Sequence, residues 1–134
     1  MPIKVGDTSE LSKVITYADI KEFARLSKDE NPLHLDPEFA KQSLFGKRIA
    51  HGFLVASLIS AVIGKQLPGP GSIYLSQQIN FQKPVFPDDE ITAVVEVTHV
   101  RQDKGIYTLK THCQNQKGEI VLHGEAVVMR PQGN

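Results

Sequence analysis

The chain has 134 residues, a length that fits one domain spanning 1–134 with room for one hydrophobic core. Apolar residues make up 40 % and charged residues 22 %, which excludes a disordered chain; 15 basic against 15 acidic side chains leave no electrostatic footprint for nucleic acid. The single cysteine, Cys113, excludes an intrachain disulfide, and neutrality leaves self-association unopposed.

The first residues carry no signal-peptide pattern, and 5–15 reads as a lead-in with one weak strand. Thr16 then caps a helix, with Asp19 three residues on to return the bond. Ile20, Phe23, Ala24 and Ser27 share one face of that helix, which should finish around 28–30 because Asn31 precedes Pro32. Residues 31–50 carry turn chemistry and one short helical piece, 37–42, capped by Asp36; so long an irregular stretch in a small domain is usually functional. Residues 52–66 read as a helix apolar on nearly every side, hence buried. It falls short of the ~20 residues a membrane span needs. Its small residues Ala56, Ser57, Ser60, Ala61 and Gly64 would let another element approach closely.

After Gly71 the period becomes two: 73–81 is predicted as a half-buried strand, followed by strands at 91–100, 106–113 and 119–129 and a frayed tail from Pro131. A long helix followed by an antiparallel meander predicts an α+β fold, a sheet curved around a helix. A soluble, cytoplasmic protein without a membrane partner is expected.

Chemistry concentrates in Asp29-Glu30-Asn31-Pro32-Leu33-His34 and in Ala50-His51-Gly52. Asp29 falls at a helix C-terminus, where the helix dipole disfavours a further negative charge, a setting that suits a carboxyl group that must hold and release a proton. Pro32 stiffens the crossing to His34, so both side chains could face one water. Read on residue types alone, Asp29 is equally a solvated helix-end carboxylate and His34 an ordinary loop histidine.

Asp29-Glu30-Asn31-Pro32-Leu33-His34 with Ala40, the run Ile49-Ala50-His51-Gly52-Phe53-Leu54, the strand Gly71-Ser72-Ile73-Tyr74-Leu75 and Phe81-Gln82-Lys83-Pro84-Val85 with Asp89-Glu90 together resemble the MaoC-like (R)-specific enoyl-CoA hydratases. The resemblance covers most of the chain. It implies a hot-dog fold, a homodimer, and an acyl-CoA thioester substrate bound near the subunit interface. The implied reaction is reversible syn-hydration of trans-2-enoyl-CoA to (R)-3-hydroxyacyl-CoA. Asp29 and His34 match the family's catalytic dyad, and Asn31 an asparagine that orients it. Gly52 matches the glycine whose N–H faces the thioester oxygen, which agrees with the anion preference of a helix N-terminus. Ser60 is a weaker supporting candidate. Many members carry glycine where this chain has Lys28, which implies a local backbone difference. No metal or cofactor is implied, coenzyme A being part of the substrate.

The neighbouring readings are a dehydratase acting on carrier-protein thioesters, a thioesterase, and a non-catalytic acyl-thioester-binding or dehydratase-partner subunit. His34, Asp36 and His51 could ligate a metal, but their spacing fits no zinc pattern. His99, His112 and His123 fall in strands, Ser57 and Ser60 lack a nucleophile elbow, and Cys113 reads as an inert core thiol. Lys65, Lys83 and Arg101 are candidate phosphate contacts and equally surface charges.

Overall fold

The computed structural model describes residues 2–131. Strand β1 (Thr8–Val14) leads into α1 (Tyr17–Ser27), the short helices α2 (Pro32–Leu35) and α3 (Pro37–Lys41), and the long helix α4 (Gly52–Lys65). Four strands follow: β2 (Ile73–Phe81), β3 (Glu90–Arg101), β4 (Ile106–Gln114) and β5 (Ile120–Met129). All pair antiparallel in one sheet of order β1-β3-β4-β5-β2. This is the expected α+β hot-dog arrangement. The tail past Pro131 lies outside the described residues.

The meander β3-β4-β5 follows from period-two sequences joined by tight turns, with Gly105 and Gly118 at positive φ where the chain reverses. Ile91, Ala93, Val95 and Val97 of β3 alternate inward, as do Tyr107, Leu109 and Cys113 of β4. Against them α4 buries Val55, Leu58, Ile59, Val62 and Ile63. Each such side chain contributes roughly 1.5–3 kcal/mol on burial, so this layer holds the fold together.

Two expectations are corrected. Strand β2 alternates in sequence, yet Ile73, Tyr74, Leu75 and Phe81 all remain exposed, because β2 is an edge strand reaching past the chain's own core. Helix α4 is not buried all round: Phe53, Ser57, Ser60 and Gly64 lie on an open side, and a Cβ built on Gly64 meets nothing within 4 Å. Of the small residues, Ala56 is buried on the sheet side, where the Cys113 sulfur of β4 comes within 3.8 Å of the Val55 carbonyl, while Ser57, Ser60 and Gly64 face away from it.

Candidate active site

Short-range hydrogen bonds shape the segment 27–51. Thr16 and Asp19 form the full capping box that starts α1, with bonds of 3.1 and 3.0 Å. The helix stops at Ser27, whose hydroxyl donates to the Phe23 carbonyl and accepts the Asp29 N–H at 3.1 Å. Lys28 then takes φ 67° and ψ 11°, the left-handed conformation that glycine favours at a helix C-terminus. Pro32 opens a helical turn where only a bend was expected. The Asn31 side chain caps that turn by accepting the Leu33 N–H at 3.0 Å, and the Asn31 carbonyl accepts the His34 N–H at 3.0 Å. Asn31 thus places His34 through the backbone. Tyr17 ties the far end down, donating its hydroxyl to Leu35 at 3.1 Å while Arg48 stacks 3.9 Å above its ring.

These constraints bring Asp29, His34 and His51 together, with one polar atom from each within 4.8 Å of the other two. Asp29 is exposed; both imidazoles are buried. His34 Nδ1 lies 2.7 Å from the Ile49 carbonyl, which can only accept, so Nδ1 carries a proton, and in the neutral ring the free lone pair is on Nε2. His51 Nε2 donates in the same way to the Asp29 carbonyl at 2.9 Å. The two rings stack with centroids 3.9 Å apart and planes 30° from parallel, and Phe23 packs against His51 at 4.8 Å. Burial pushes the His51 imidazole below its usual range, against the opposing pull of the Asp29 carbonyl. An exposed carboxylate beside an oriented imidazole forms a pair that can take a proton from one bound molecule and return it.

Gly52 is the first residue of α4, so its N–H has no partner inside the helix and faces outward at the positive end of the dipole. A Cβ there would come within 2.6 Å of the Phe81 ring, so glycine is what lets that ring close over the helix start. Beside it opens a cavity of about 380 Å³, apolar for the most part and bordered by Phe45, Ile49, Gly52, Phe53, Phe81 and Val85. Asp29 and His34 do not line this cavity; residues 49–52 connect it to them. Ser60 stands exposed about 12 Å further along α4 and supports nothing at the dyad within this chain.

The profile of the MaoC like domain matches residues 4–117. The chain belongs to the MaoC-like family. Among its relatives, the (R)-specific enoyl-CoA hydratase of Aeromonas caviae is 52 % identical over 96 % of this chain and 96 % of that protein. The (R)-specific enoyl-CoA hydratase of Rhodospirillum rubrum is 46 % identical over 96 % of this chain and 89 % of that one. The solved structure of the (R)-hydratase from A. caviae involved in PHA biosynthesis superposes with a TM-score of 0.92, at 52 % identity, covering 96 % of this chain and 98 % of that chain.

In this MaoC-like chain His51, weighed from the sequence only as a metal ligand, joins the site as a neighbour of both Asp29 and His34. Its burial between Phe23 and His34 and its bond to Asp29 have no local signature, although it borders the helix start that the sequence marks clearly. Asp36, grouped with the two histidines as a possible metal ligand, instead caps α3 by accepting the Glu38 and Phe39 N–H groups; Asp29 takes its place in the cluster. Of the three cations left open, Lys83 borders the cavity and pairs with Glu119 at 3.3 Å, Arg101 pairs with Asp103 at 3.6 Å, and Lys65 is exposed at the end of α4. Cys113 is buried, and burial pushes its thiol up to about 12, in keeping with an inert core thiol.

Proposed function

We propose that this protein hydrates trans-2-enoyl-CoA to (R)-3-hydroxyacyl-CoA, with Asp29 and His34 as its acid–base pair. The observation that carries the assignment is the convergence of an exposed carboxylate and an oriented imidazole within 4.8 Å, in a chain 52 % identical to an (R)-specific hydratase. A water held between them donates to the Asp29 carboxylate and to the His34 Nε2 lone pair. As its oxygen attacks C3, one member of the pair takes its proton, the C2–C3 π electrons move toward the thioester carbonyl, and the captured proton returns to C2 on the same face. The Gly52 N–H stabilises the enolate oxygen, an interaction whose loss typically costs about 2.7–4 kcal/mol of barrier. The cavity bordered by Gly52 leaves room beside that amide for the thioester substituent.

The reaction as written uses neither metal nor redox cofactor, because the thioester itself acidifies C2. A homodimer is part of the proposal. Strand β2 offers an exposed, apolar edge that a second copy would cover, and long bare edges are otherwise aggregation sites. We place the protein in the cytoplasm; its one cysteine is free, so the fold rests on no disulfide.

Loss of enoyl-thioester absorbance from crotonyl-CoA, followed by chiral analysis, tests the reading. Wild type should yield the (R) product, Asp29→Asn and His34→Ala should be nearly inactive, and dialysis against a chelator should leave the rate unchanged. An (S) product, or wild-type rates in both variants, would overturn it. Preferential turnover of carrier-protein thioesters would reassign the substrate.

A further inference from the structure

We propose that His51 is a positioning residue of the dyad: its ring N–H holds the Asp29 backbone while its face carries the His34 imidazole, so one buried side chain sets the spacing of both. The inference rests on reading Asp29 and His34 as the acid–base pair. Two independent contacts support it, the 2.9 Å bond to the Asp29 carbonyl and the 3.9 Å stack on His34.

Packing alone does not explain a histidine here. Its Nδ1 is enclosed and without a hydrogen-bond partner among the described residues, which costs desolvation that a phenyl ring would avoid. What the imidazole adds over a phenyl ring is the Nε2–H held against Asp29. That bond requires a proton on Nε2, which the neutral ring carries in one of its two tautomers. The groups that face His51 are Phe23 from α1, the His34 ring from α2 and the Asp29 carbonyl, and burial disfavours a charge on the ring, so the proton taken up during turnover stays with His34 or Asp29. Residues 49–52 then act as one ruler: the Ile49 carbonyl orients His34, His51 holds Asp29, and Gly52 presents the amide.

The test compares His51→Phe, which keeps the ring and loses the donor, with His51→Gln, whose amide N–H can reach the same carbonyl. On crotonyl-CoA, His51→Phe should lower kcat about 10–100-fold with KM changed less than about threefold, and His51→Gln should recover most of the loss, since small misplacements of reacting groups cost this much. Unchanged kcat in folded His51→Phe, or losses in both variants that only track their melting temperatures, would overturn the proposal. If His51→Phe does not fold, His51→Gln decides: kcat within about threefold of wild type supports the donor role, and a loss like that of Asp29→Asn refutes it. Nitrogen NMR of histidine-labelled protein separates this question from the activity itself. Wild type should show His34 protonated on Nδ1 and His51 on Nε2, and His51→Phe should alter the His34 signals. Were wild type inactive on every enoyl thioester, the hydratase reading would fall, and unaltered His34 signals in His51→Phe would end the positioning role separately.

Discussion

Strand β4 and the segment from Lys28 to His51 make opposite use of their polar groups. In β4 Thr108, Lys110 and His112 alternate outward, Tyr107, Leu109, Thr111 and Cys113 turn inward, and the backbone is satisfied by ladders to β3 and β5. In the connecting segment the backbone is satisfied piecemeal, by the Ser27 hydroxyl, the Asn31 and Asp36 caps and the two histidine rings. The difference separates stability from chemistry. A ladder is regular, so it packs; a chain of caps is irregular, so it can aim two buried imidazoles and an exposed carboxylate at one point.

The comparison breaks if the two regions share their roles. The largest expected effect is in the connecting segment: Asp29→Asn should lower kcat by about 10²–10⁴-fold, the usual worth of acid–base catalysis, while the melting temperature stays within a few degrees because the side chain is exposed. Leu109→Ala in β4 should do the reverse, costing about 2–5 kcal/mol of stability through a core cavity while each folded molecule keeps its turnover. Urea melts and crotonyl-CoA kinetics on the same two proteins check both halves. Stability lost in Asp29→Asn, or turnover lost in folded Leu109→Ala, would erase the division.

A smaller effect sharpens the same contrast through Cys113, a titratable group that β4 keeps silent. Burial raises the folded thiol from 9.0 to about 12, so the unfolded chain gives up this proton first as pH rises. The cysteine's contribution is complete below about pH 9 and is lost toward about pH 12, at about 1.4 kcal/mol per pH unit between. Urea melts of wild type and Cys113→Ala at pH 8 and at pH 10.5 should therefore converge as pH rises. A constant gap would mean that the thiol is not held neutral by the fold.

The regions also differ in how far the sequence exposes them. The meander is legible because period two is a local signal, and the Thr16 and Asp36 caps are legible because each acts within three residues. Helix α2 is too short, at four residues, for any period to show. The pairing of β2 with β5 depends on where the chain returns after α4, which no strand's own pattern records. The bonds that complete the site span 15 residues from His34 to Ile49 and 22 from His51 to Asp29, so only the folded backbone reveals them. Ser60 is exposed on the open side of α4, a property that a resemblance in residue type does not carry.

The smallest effect asks what covers the open side of α4. Gly64 is helical and exposed, and an added Cβ meets nothing within this chain. Alanine there lowers the entropy of the unfolded chain and improves helix propensity, so Gly64→Ala should stabilise the protein by about 0.5–1 kcal/mol, less if the last turn frays. A rise of a few degrees in melting temperature, unchanged in size across a hundredfold range of protein concentration, would show that this side stays in solvent even when β2 meets a second copy. A fall that deepens at high concentration would mean that the partner packs against Gly64 itself. The small residues of α4 would then serve the close approach suggested by their spacing, with the approaching element supplied by the other subunit.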